Sequence, residues 1–305
     1  MTQLNHLVSG TNPEDVIKEI KYIFSLMATD ANHEIFDQIY SDVVSLFNGH
    51  YPGYRACNAK YHDLEHTNLV VLAATRLIHG FFPEGRQFVP ENFILVFAAA
   101  LFHDVGLIQA ESDLDGSGAK HTIGHEERSV DFMRQYLSEK NFSSQAIEDC
   151  SHMIRCTILR LDPNAIPFRN KEIETLGKIV GSADLLGQMA DRCYLEKLLL
   201  LFEEFEEAGL PGFDSAVDLL QKTEAFFESI AQKRLNQEFD GVATSMRSHF
   251  KLRWNLDRDL YAEAISNHIK YLKNLAVICA DSYVCYLQNL RRGGIVKSNY
   301  EDIAL

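Results

Sequence analysis

Phe93-Ile94-Leu95-Val96-Phe97-Ala98-Ala99-Ala100-Leu101-Phe102-His103-Asp104-Val105-Gly106 decides how this chain is read. Phe93 to Phe102 is apolar throughout, so the segment reads as a helix buried on nearly all sides. It ends on an adjacent imidazole and carboxylate. An ionised carboxylate at the end of such a segment is costly to desolvate without a partner. A divalent metal is one such partner, because borderline metals accept mixed nitrogen and oxygen ligands. An arginine is the other. Gly106, two residues on, allows a sharp exit from the helix.

Helical patterning continues on both sides. Asn12-Pro13-Glu14-Asp15 has the form of an N-cap, a proline at the first helical position and an acidic first turn. Val16, Ile20, Ile23 and Met27 follow at steps of four, three and four, as one helix face requires. Further helices are predicted over 34–47, 61–79, 91–103, 122–140, 143–159, 171–207 with a break near Asp191, 219–236 and 257–291. No alternating run calls for a strand. The expected architecture is all-α. It comprises N-terminal helices over 1–60, a core over 61–208 and a helical extension of the same body over 209–305. Residues 111–120, ESDLDGSGAK, combine two glycines, two serines and three acidic residues and read as a mobile loop.

Composition narrows the function classes. The formal net charge is −14 with no Lys/Arg cluster, which argues against nucleic acid polymers and anionic membranes as partners. Apolar runs fall far short of the ~20 residues a membrane span needs. The N-terminus shows no secretory signal. The six cysteines form no C-x-x-C pair and read as buried free thiols. A cytoplasmic location is expected.

Two further segments carry chemistry. In Tyr61-His62-Asp63-Leu64-Glu65-His66 the two histidines are four apart, which predicts one helix face. In Gly181-Ser182-Ala183-Asp184-Leu185-Leu186 an Asp sits in an apolar helical run, where it needs a counter-charge or a hydroxyl partner. Each segment alone also fits an ordinary structural role. Together they place His66, His103, Asp104 and Asp184 in apolar helical contexts, a set able to give one metal four ligands.

With that order of His, His-Asp and Asp, the sequence resembles the HD superfamily of metal-dependent phosphohydrolases from Tyr61 to Glu207. Its first motif is similar to the Tyr-His-Asn-x-x-His element of the class I cyclic-nucleotide phosphodiesterases. The resemblance implies a helical bundle of the HD/phosphodiesterase kind. It implies metal ligation by His66, His103, Asp104 and Asp184, with Asp104 bridging to a second ion. It implies His62 as the acid that protonates the leaving oxygen. The expected activity is metal-dependent hydrolysis of a phosphate ester in a small metabolite or nucleotide, with diesters favoured. One or two divalent ions are expected, among Zn, Mn, Mg, Fe, Ni and Co. Asp63 stands where the phosphodiesterases have Asn, and Leu107 stands where they have a further His.

His125, which opens the helix after the loop, reads either as a residue near metal or phosphate or as a surface histidine. His152 reads as a core histidine or a further ligand. Gln188 and Asp191 read as pocket residues or as helix–helix hydrogen-bonding groups. The run Glu203-Glu204-Phe205-Glu206-Glu207 reads as a solvated helix end. His79, His249 and His268 carry no constellation. The alternatives in other classes are a di-iron oxygenase, with His125 and His152 completing six ligands, and an inactive module that senses a nucleotide. A homodimer is compatible with the sequence.

Overall fold

The computed structural model describes residues 2–27, 33–85 and 88–304. Among them are thirteen α-helices: α1 Pro13–Met27, α2 His33–Phe47, α3 Leu64–Phe81, α4 Glu91–Phe102, α5 His125–Glu139, α6 Ser144–Arg155, α7 Lys171–Ala190, α8 Tyr194–Glu207, α9 Ala216–Phe226, α10 Ser245–Trp254, α11 Leu260–Cys279, α12 Tyr283–Asn289 and α13 Ile295–Ala304. No strand occurs among the described residues. The nearest approach to one is a single bridge between Tyr54 and Ala110. The fold is all-α. No helix among the described residues is long and apolar enough to cross a membrane.

Helix starts follow local chemistry. Asn12 Oδ1 accepts from Glu14 N at 3.0 Å ahead of α1, Ser143 Oγ caps α6 and Asn170 Oδ1 caps α7. Each oxygen satisfies a backbone donor that the first turn leaves without a partner. The predicted break near Asp191 separates α7 from α8. There Asp191 Oδ1 accepts from Cys193 N, and Oδ2 pairs with Lys197 at 2.7 Å.

α3, α4 and α7 form the centre, with Val70, Val71, Leu77, Val96, Ala98, Ala99, Ile179 and Val180 fully buried. The C-terminal region packs directly on this core. Ser245 Oγ donates to Leu77 O at 3.0 Å, and a Cβ built on Gly80 would lie 1.9 Å from Ser245 O. Only glycine lets α3 and α10 approach so closely. Phe239 and Phe250 are fully buried in the C-terminal region.

Several expectations need correction. The predicted helix from 61 begins instead at Leu64, because Asp63 takes the N-cap and accepts from His66 N at 2.8 Å. The segment predicted as helix 219–236 is α-helical only to Phe226 and continues as π-helical turns. The segment 257–291 divides into α11 and α12 at Ala280, which has φ +45°. Helices α10 and α13 were not anticipated. Cys279 and Cys285 are joined in a disulfide across that division, so the free-thiol reading holds only for Cys57, Cys150, Cys156 and Cys193. The helix break brings together two cysteines that an unbroken helix would hold apart.

The loop over 111–120 is tied down rather than loose. Lys120 Nζ bonds Asp113 Oδ1 and Asp115 O, Gln109 Nε2 donates to Asp115 O, and Gly118 N donates to Asn58 Oδ1. Ser117 donates to Glu207 at the end of α8. Polar composition predicted mobility, but the loop closes on its own groups and is anchored to Asn58 and Glu207, which are distant in sequence.

Candidate metal centre

Four elements converge on one point. α3 supplies His66 from its first turn, and the end of α4 supplies His103 and Asp104. α7 supplies Asp184 and the start of α5 supplies His125. His66 Nε2 lies 3.4 Å from His103 Nε2, 3.3 Å from Asp104 Oδ2 and 3.4 Å from Asp184 Oδ1. His103 Nε2 lies 3.0 Å from Asp104 Oδ2 and 3.6 Å from Asp184 Oδ1. The four predicted ligands are therefore assembled.

The tautomers suit ligation. His103 Nδ1 sits 2.8 Å from Ala100 O, and a carbonyl only accepts, so Nδ1 carries hydrogen. In the neutral ring that leaves the Nε2 lone pair facing the cluster. His125 Nδ1 likewise donates to Thr122 O at 2.8 Å, and its Nε2 stands 3.2 Å from Asp104 Oδ1. Asp104 Oδ2 is buried and has no aligned hydrogen-bond donor, although His103 Nε2 is close. A buried carboxylate oxygen left in this way needs a proton or a cation. Donor separations of 3.0–3.6 Å are those of ligands around one ion at ~2.0–2.2 Å. His66, His103 and Asp104 could hold a metal ion, and their donor set fits one.

Without an ion the groups pair with one another. Burial works to lower the His66 pKa, but the carboxylates of Asp104 and Asp184 beside it outweigh burial and raise it to about 9. His103 is raised well above the ordinary histidine value in the same way. Burial opposes ionisation of Asp104 and Asp184, yet the imidazoles hold both carboxyls below the usual carboxylate range. One region of concentrated charge is thus enclosed in an apolar core.

The open side of the cluster is marked by exposure. His66, His103 and Asp104 side chains are at most 5 % exposed, against 23 % for Asp184, 14 % for His62 and 13 % for His125. These last three are the members of the site most open to solvent.

His62 is not on the face of α3, as its spacing from His66 predicted. It precedes the N-cap, and another element places its ring. Nδ1 lies 2.5 Å from Glu204 Oε2, while Glu204 Oε1 accepts from Tyr61 N at 2.7 Å. The His62 ring centroid is 5.7 Å from that of His66 and 5.9 Å from that of His125. Burial would raise the Glu204 carboxyl, but His62 and the two backbone donors hold it below its ordinary range, so it stays a carboxylate. Glu204 corrects the solvated reading of the acidic run and is the site residue that sequence reasoning missed. The available signal was periodicity. Glu204 follows the buried Leu200 and Leu201 at helical spacing and is 2 % exposed, so it lies on the buried face of α8.

Other candidates find different partners. Gln188, partly exposed one turn after Asp184, stands beside the Tyr61 phenol, and Asp191 pairs with Lys197 at 2.7 Å. His152 pairs with Glu148 at 3.1 Å and packs its ring on Phe168, apart from the cluster. Gly106 does not act as a helix exit. A Cβ there would meet His125 O at 2.0 Å and Ser129 N at 2.7 Å, so its role is to let α5 close on the His-Asp segment.

Residues 31–248, which contain every member of this site, match the model of the Npun_R2479-like family. No curated protein matches the chain. The chain belongs to the Npun_R2479-like family.

Proposed function

We propose that this Npun_R2479-like protein is a metal-dependent phosphohydrolase of the HD kind, acting on a small phosphorylated metabolite or nucleotide, with phosphodiester substrates favoured. The observation that carries the reading is the buried Asp104 Oδ2, which has no aligned hydrogen-bond donor yet lies 3.0 Å from His103 Nε2 and 3.3 Å from His66 Nε2, beside an imidazole held by a buried carboxylate. His66, His103, Asp104 and Asp184 would hold the ion. Asp104 Oδ1 and His125 Nε2 form the edge at which a second ion would sit. Bound there, a divalent ion would supply an activated water and charge neutralisation at the phosphoryl oxygens.

The chain's own groups do the rest. Glu204 takes the Nδ1 side of His62, which leaves Nε2 as the atom that delivers a proton to the departing oxygen. Glu204 also fixes the ring through the Tyr61 amide, so the acid is oriented before substrate arrives. The enclosed walls of the cluster exclude bulk water and strengthen each electrostatic contact.

His152 is engaged with Glu148, which weighs against the six-ligand oxygenase. The oriented His62–Glu204 pair weighs against a module that only senses a ligand. Elemental analysis together with turnover of cyclic nucleotides, nucleotides and generic phosphoesters over several divalent metals tests the proposal. His66→Ala and Asp184→Ala should each lower bound metal and lower turnover at least ~100-fold. Undiminished hydrolysis by the double variant after metal removal would sink it.

A further inference from the structure

At the end of α3 away from His66, a second polar cluster is buried between α1, α3, α10 and α11. Arg76 and His79 share a face of α3 at a spacing of three. His249 and Arg253 share a face of α10 at a spacing of four. The two faces meet, with His79 Nδ1 and His249 Nδ1 3.0 Å apart. Arg76 is 1 % exposed, His249 0 % and His79 5 %.

The hydrogen-bond inventory of this cluster is unbalanced. Arg76 Nη1 donates to Tyr261 Oη at 2.8 Å, while its Nε and Nη2 are buried without a partner. His249 Nε2, Arg253 Nε and Trp254 Nε1 are buried and partnerless as well. Against these nitrogens stands one partnerless acceptor, Glu19 Oε1. The charges are unbalanced in the same sense. Glu19 pairs with Arg253 at 3.2 Å, and no carboxylate pairs with Arg76 among the described residues. With both histidines neutral, two guanidiniums face one carboxylate and one positive charge is left over. The field acts on its neighbours. Burial first, then Arg76, His79 and Arg253, push the His249 pKa well below its usual value. A buried charge without a counter-charge is strongly destabilising, and partnerless buried N–H groups ask for an acceptor.

We propose that this layer binds one small monovalent anion of the halide class, held by Arg76 Nε and Nη2 with His249 Nε2 and Arg253 Nε around it. A monovalent anion cancels the single excess charge, and an ion that only accepts suits nitrogens that donate: with His79 Nδ1 donating to His249 Nδ1, the neutral His249 ring carries its hydrogen on Nε2. A cation is excluded by the two guanidiniums. The anion would fasten α10 and α1 to the far end of the helix that carries His66.

The test uses the whole chain, dialysed free of halide. Sodium chloride or bromide is added at constant ionic strength against sodium gluconate, and crystals grown in bromide are measured at the bromine absorption edge. Chloride and bromide should raise the Tm saturably, by about 5 °C at a hundredfold excess over Kd, while gluconate should not. Bromide should give an anomalous peak beside Arg76. Arg76→Met should abolish the halide-specific Tm rise. If that variant does not fold, the bromide peak in the unaltered protein decides the matter. Equal Tm shifts for all anions, or ordered water with no bromide beside Arg76, would overturn the proposal.

Discussion

Glu204 links a residue distant in sequence to the proposed proton donor. Its carboxylate fixes the His62 ring and spans to the Tyr61 amide. Glu204→Gln keeps size and one acceptor but removes the charge behind the imidazole. It should lower kcat on the productive phosphoester about 10²-fold, with metal content unchanged. An unaltered kcat would mean that Glu204 only packs. The clustered residues His66, His103, Asp104 and Asp184 were legible in the sequence because a carboxylate or imidazole inside an apolar run needs explanation wherever it stands. Glu204 was not, because four neighbouring glutamates look alike until the helix phase assigns one of them to the buried face.

Helix boundaries decide geometry that spacing alone misassigned. His62 and His66 are four apart, yet the helix starts only after Asp63, its N-cap, so the two rings reach the site from different local structures. Gly106 is an element-scale contact of the same importance. Any side chain there drives into the backbone at the start of α5, and backbone cannot rotate away. Gly106→Ala should lower stability by about 1–3 kcal/mol in urea unfolding. It should also weaken metal binding, because His125 sits at the displaced turn. An unchanged unfolding midpoint would show that α5 adjusts freely. The disulfide followed the same logic. Cys279 and Cys285 pair because α11 stops at Cys279, a boundary that continuous apolar spacing concealed.

At the scale of the whole molecule, the polar layer between α3 and α10 makes stability depend on pH. Burial, with Arg253 second, lowers the His79 pKa from 6.5 to about 4, and His249 is depressed too. Arg76, Arg253, Glu19 and Tyr261 face this pair. The unfolded chain therefore takes up protons that the folded chain refuses. The contribution is full above the unfolded value and is lost as pH falls from about 6.5 towards about 4. Urea unfolding at about pH 7 and about pH 5 should show a clear loss of stability. The loss should shrink in a His79→Gln, His249→Gln variant, and an equal loss in that variant would assign it to other groups.

The sequence by itself determined an all-α chain and the residues of a His/Asp cluster that could hold a metal. Both are consequences of local rules: apolar period, capping chemistry and the cost of placing charge in apolar segments. Tertiary structure alone decided the setting of His62 by Glu204, the close approach that requires Gly106, the cysteine pairing and the polar layer of Arg76, His79, His249 and Arg253. The cysteines pair across a break in helix continuity; each of the others joins segments whose separation in the chain carries no signal, and only packing makes them neighbours.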